Sequence, residues 1–135
     1  MERTIKIIVL LFLLFVMPVK AEENPAYMIT LQNVDFKLCT RTYIMSEEKM
    51  FYVAIAAIKA NNFEVDEIQS KTGYILFTAG GKQYLASVVK TDSTHTQLKI
   101  TPINNNYFFA PGIVLNVFRY IDLNGATPLV ELPKV

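Results

Sequence analysis

Gly80 and Gly81 stand between two alternating apolar runs, "GYILFTA" (73–79) and "KQYLASVVK" (82–90). A Gly-Gly pair in that position makes a two-residue hairpin turn, because the tight turns that match strand twist need positive φ at their centre. The turn sets the pairing. Phe77 faces Tyr84 and Ile75 faces Ala86, while Leu76 faces Leu85 on the other side. A third run, "HTQLKITPI" (95–103), follows the turn "TDST" (91–94), and in it Leu98 and Ile100 alternate with Gln97, Lys99 and Thr101. An odd loop aligns Leu98 and Ile100 with Val88 and Ala86. An even loop aligns them with Ser87 and Leu85, since a slip of one residue exchanges the faces. The odd loop yields a core face of Ile75, Phe77, Tyr84, Ala86, Val88, Leu98 and Ile100. It leaves Tyr74, Leu76, Leu85 and Val89 on the outer face beside Gln97 and Lys99, an apolar strip of the kind that marks an interaction surface.

Around these strands the remaining elements follow from local signals. "MSEEKMFYVAIAAIKANNF" (45–63) predicts a helix. Ser46 caps it, Glu47 and Glu48 favour its first turn, and Met45 and Met50 make a hydrophobic staple. Phe51, Ala54, Ile55 and Ile58 form its apolar stripe, and Asn61-Asn62 ends it. "FEVDEI" (63–68) predicts a strand joined to the hairpin through "QSKT", with Gly73 placed for a turn or bulge. "APGIVLNVFRYIDLNG" (110–125) predicts a second helix. Pro111 suits its first position, Ile113, Val114, Val117, Phe118 and Ile121 share one face, and Asn124-Gly125 stops it. A further strand around Thr40 to Ile44 precedes the first helix. The order β-α-β-β-β-β-α over residues 40–124 predicts an α+β domain with an antiparallel sheet of four or five strands and two helices on one face.

The ends of the chain read differently. Residues 1–21 place Arg3 and Lys6 before an apolar run, Ile7 to Met17, then Pro18 and Val19-Lys20-Ala21. That is the layout of a secretory signal peptide, and the run is short for a membrane-spanning helix. The expected location is therefore exported, periplasmic or extracellular, with membrane contact only through the signal before its cleavage. Of 13 basic and 12 acidic residues, the segment takes Arg3, Lys6 and Lys20 against Glu2, leaving 10 and 11. So balanced a chain lacks the electrostatic footprint of a nucleic-acid binder. Residues 22–39, with Tyr27, Ile29 and Leu31 and then Val34, Phe36 and Leu38 alternating, suit an extended segment. Residues 125–135 carry two prolines and suit an extended tail.

Few residues offer chemistry. The single cysteine, Cys39, has no internal disulfide partner and reads as a small buried residue on a strand, with an intermolecular disulfide or a reactive thiol as the sharper possibility. The single histidine, His95, stands at a turn among Thr and Ser, and nothing in its spacing pairs it with Cys39. Glu64, Asp66 and Glu67 fall on different faces of an alternating strand, which argues against a Ca²⁺ site. "TAGGK" lacks P-loop spacing and joins two strands. The reading is a protein that is not an enzyme, with no catalytic residue, metal or cofactor.

"NNNYFFAPG" (104–112) poses one further question. An extended stretch before Pro111 sends Phe108 to one side and Tyr107 and Phe109 to the other. The expectation is that Phe108 or Phe109 anchors the second helix while Tyr107 stays partly exposed, which adds Tyr107 to the possible interaction surface.

"RTY" before a helix, Phe51, Ala54 and Ile58 on that helix, and then "NNFEVDEIQSKTGYILF" resemble the helix-grip domains of outer-membrane assembly lipoproteins of the C type and of small uncharacterised lipoproteins. The resemblance spans Thr40 to Asp122, rests on core and turn residues, and departs from those lipoproteins in lacking their lipidated cysteine. It implies a binding or scaffolding role in the cell envelope and supplies no catalytic residue. The expected function is a non-catalytic module that binds an envelope protein partner or itself. The competing expectation is a carrier of a small apolar ligand held between helices and sheet.

Overall fold

The computed structural model describes residues 25–125, so the signal segment (1–21) and the tail beyond Gly125 lie outside the described residues. The chain order is α1 (Pro25–Ile29), β1 (Gln32–Asn33), a 3-10 turn (Phe36–Cys39), β2 (Thr40–Ile44), α2 (Glu47–Ala60), β3 (Glu64–Gln69), β4 (Tyr74–Ala79), β5 (Lys82–Lys90), β6 (His95–Pro102), β7 (Phe108–Phe109) and α3 (Gly112–Asn124). The fold is α+β. Strands β2-β6-β5-β4-β3 form one antiparallel sheet, and β1 and β7 pair antiparallel as a second, two-stranded piece.

The hairpin forms where the glycines allow it. Gly80 and Gly81 have φ of 59° and 78°, and the pairs Phe77↔Tyr84, Ile75↔Ala86 and Leu76↔Leu85 follow. The next loop is odd: Val88 pairs with Leu98 and Ala86 with Ile100. All seven expected core-face residues are accordingly buried. Helix α2 starts at Ser46, whose hydroxyl accepts from the Lys49 N–H at 3.1 Å, and ends at Asn61, with Asn62 in the left-handed region at φ 62°. Its buried face is wider than the stripe of Phe51, Ala54 and Ile58. Met50, Val53 and Ala57 are buried too, while Ile55 is half-buried, because α2 packs on the sheet and on α3 at once. Val114, Val117, Phe118 and Ile121 face inward from α3.

An aromatic row runs through the interior. Phe63 stacks on Phe77 at 5.9 Å, Phe77 on Tyr84 at 5.5 Å, and Tyr84 meets Phe109 edge-on at 5.4 Å between ring centres. Phe109 is therefore the anchor of its segment, and Phe108 points to solvent, 43% exposed.

Three expectations need correction. The stretch 25–39 is not simply extended: only Gln32–Asn33 is strand, flanked by a short helix and a 3-10 turn. Pro25 opens that helix, a position proline favours, and Asp35 caps the 3-10 turn by accepting from the Lys37 N–H at 3.0 Å. Cys39 is buried, but as the last residue of that turn and not on a strand. Finally, β3 does not alternate strictly. A bulge between Val65 and Glu67 lets Asp66 and Glu67 both reach outer-face side chains.

Candidate interaction surface

Both long helices lie on the inner face of the sheet. Helix α2 contacts β3, β4, β5 and β6, and α3 reaches the inner face of β2 through Asp122 and Phe118. No described element lies across the other face. Register places there Tyr74, Leu76 and Thr78 from β4, Gln83, Leu85, Ser87 and Val89 from β5, and Gln97, Lys99 and Thr101 from β6. Leu76 and Leu85 are cross-strand partners and half-buried; Tyr74 is half-buried and Val89 exposed. Tyr107 does not join them. It lies in the core's margin, edge-on to exposed Phe36 at 6.1 Å, and its carbonyl accepts from the Val34 N–H at 2.8 Å.

The strip has charged borders of opposite sign. On the β3 side Glu67 accepts from the Tyr74 hydroxyl at 2.9 Å, which raises the tyrosine's pKa, and Asp66 accepts from Thr78 at 2.6 Å and Gln83 at 3.1 Å. On the other side stands Lys99, cross-strand from Ser87 and Thr40. These bonds hold the acidic side chains on the surface beside the leucines. An apolar centre with a positioned polar rim is the usual anatomy of a protein-binding patch.

At the β2 margin a second polar cluster joins the sheet to α3. Asp122 takes an ion pair from Arg41 at 2.6 Å and a hydrogen bond from the Tyr43 hydroxyl at 3.0 Å, while the Arg41 guanidinium lies over the Phe118 ring at 4.7 Å. Burial and the neighbouring carboxylate raise the Tyr43 pKa. Sequence reasoning missed this cluster, because strand and helix lie 81 positions apart in the chain and nothing local links them.

Two further groups have local structural partners or surroundings, the His95–Asp92 pair at the β5–β6 turn and the buried Cys39. His95 Nδ1 lies 2.9 Å from Asp92 Oδ1, and Asp92 also accepts from the backbone of Thr94 and His95, which lowers it to about 2. Burial pushes the Cys39 thiol up to about 11, which keeps it protonated and a poor nucleophile. Among the described residues no three His, Cys, Asp or Glu side chains gather as a metal site, and no helix is long and apolar enough to cross a membrane. An open groove of about 370 Å³ lies between the start of α2 and the β3–β4 turn, bordered by Glu47, Glu48, Tyr52 and Lys71. No family model matches the chain, and no curated protein sequence matches it.

Proposed function

We propose that the chain is an exported, non-catalytic module of the cell envelope whose outer sheet face binds a protein partner. The observation that supports this most is the outer face itself: Tyr74, Leu76, Leu85 and Val89 lie together on a sheet whose two long helices pack on the other side, and among the described residues no element covers them. Export rests on the layout of residues 1–21, and the envelope setting on the resemblance to helix-grip lipoprotein domains. The carrier reading draws less support. Phe63, Phe77, Tyr84 and Phe109 fill the space between helices and sheet where an apolar ligand would sit.

The test is a double substitution, Leu76→Lys with Leu85→Lys, in the full chain expressed with its own leader. The pair is expected to keep the circular dichroism of the parent and to lose a partner captured by crosslinking in the native host. Global unfolding, or capture unchanged, overturns the reading. Mass spectrometry of the exported protein is expected to find an N-terminus near Glu22, and an intact Met1 on a cytoplasmic species ends the export proposal.

A further inference from the structure

The two edges of the five-stranded sheet differ in kind. β3 is guarded: Glu64, Asp66 and Glu67 are exposed along it, and the bulge between Val65 and Glu67 interrupts its ladder. Charges and bulges are how native edges turn away an added strand. β2 has no bulge and no acidic residue. It pairs with β6 without a break from Thr40 to Ile44, contains no proline or glycine, and pairs with no second strand among the described residues. Its one charge, Arg41, lies on the inner face and is paired with Asp122 of α3. Thr42 is exposed, and Ile44 is exposed at 78%.

We propose that β2 is the docking edge for a second copy of this chain, with the two β2 strands antiparallel about a two-fold axis at Thr42. The stretch Thr40-Arg41-Thr42-Tyr43-Ile44 is self-complementary about its centre. The axis sets Thr42 opposite Thr42 of the second copy, Arg41 opposite Tyr43, and Thr40 opposite Ile44. All five residues find partners, the guanidinium meets an aromatic ring, and no like charges oppose. Because the axis stands perpendicular to the sheet, inner side chains stay opposite inner ones, so the alternative axes lie one residue to either side. An axis at Arg41 runs the pairing out of the strand into Leu38 and Cys39 of the 3-10 turn. An axis at Tyr43 runs the pairing out of the strand, into Met45 and the Ser46 cap. Pairing β2 with β3 of a second copy would be head-to-tail and would not close, and the acidic, bulged β3 opposes it. The two-fold pairing makes one continuous sheet, with all long helices on one face and both outer strips on the other. It goes beyond the proposed partner binding and leaves the Leu76 and Leu85 face free.

Sedimentation velocity of the full chain, purified as its host releases it, tests this across a concentration series. The parent is expected to show a reversible monomer–dimer equilibrium. Thr42→Lys and Thr42→Glu each place like charges together at the axis and are expected to weaken the dimer by roughly fivefold or more at low salt. A one-to-one mixture of the two variants is expected to recover the dimer as a heterodimer. A parent that stays monomeric, variants that dimerise as well as the parent, or a mixture that fails to recover would each overturn the proposal. Hydrogen exchange on the parent adds a readout that needs no variant: the amides of residues 40–44 should slow as concentration rises, and those of 64–69 should not. Equal slowing of both edges, or of neither, refutes the pairing. The Leu76→Lys, Leu85→Lys protein should dimerise normally, which separates failure at the edge from failure at the face.

Discussion

Phe108 and Phe109 are neighbours with the same side chain, so replacing each by alanine is a controlled experiment on direction alone. Phe109 is 1% exposed and meets Tyr84 edge-on at 5.4 Å and Tyr107 at 6.3 Å, whereas Phe108 is 43% exposed. Burial of a phenylalanine contributes about 2 kcal/mol, and an edge-to-face contact adds roughly 1 kcal/mol. With the void left behind, Phe109→Ala should cost about 3–5 kcal/mol. Phe108→Ala should cost less than about 1 kcal/mol, since its ring already meets water. A small domain has a total stability of about 5–15 kcal/mol, so the first change consumes much of it and the second leaves it nearly intact. Urea denaturation followed by circular dichroism reads both, and the midpoint for Phe109→Ala should fall steeply with an unchanged slope. The reasoning fails if the two variants are equally stable, or if Phe109→Ala costs less than about 1 kcal/mol. In that case the aromatic tip is not an anchor.

What was legible in the sequence and what was not divides along physical lines. The Gly80-Gly81 turn and the alternation of Leu98 and Ile100 are local, two-valued signals, and together they determine which side of β4, β5 and β6 faces the helices. The same register places Tyr74, Leu76, Leu85 and Val89 on the outer face, so most of the candidate surface could be read from residues alone. The α2 cap was likewise local, a hydroxyl and an amide three positions apart. Other features depend on distant partners. Tyr27, Ile29 and Leu31 alternate as a strand would, yet the chain there turns helical and brings the Met28 carbonyl against Gly112. The β3 bulge, which lets Asp66 and Glu67 both reach outer-face partners, breaks an alternation that the residues alone suggest. The contrast between the two sheet edges also needed the structure, because only the fold reveals that Arg41 is spoken for by Asp122.

Three further expectations follow from the same contacts. Gly112→Ala should destabilise the protein by about 1–3 kcal/mol, since the added Cβ would lie 2.7 Å from the Met28 carbonyl oxygen and 3.2 Å from its Cβ; faster hydrogen exchange at residues 25–29 locates the damage, and a more stable variant would deny the close approach. Asp122→Asn should cost less than about 1 kcal/mol at physiological salt, because the pair with Arg41 is part-exposed, and more at low salt; a cost that ignores salt would mean that packing, not charge, joins α3 to β2. Cys39 carries part of the alkaline pH dependence, beside Tyr84, whose hydroxyl is pushed up to about 12 by burial. Burial first, and the Asp35 charge second, raise its thiol from 9.0 to about 11. The folded state thus holds the proton more tightly than the unfolded chain, so this contribution to stability is fully present below about pH 9 and is lost as pH rises toward about 11. Urea midpoints should therefore fall between those values in the parent and fall less in Cys39→Ala. At pH 8 the native thiol should resist an aromatic disulfide reagent until urea opens the domain. Stoichiometric labelling of the native protein within seconds would show that the thiol is neither buried nor shifted, and that the 3-10 turn before β2 opens freely.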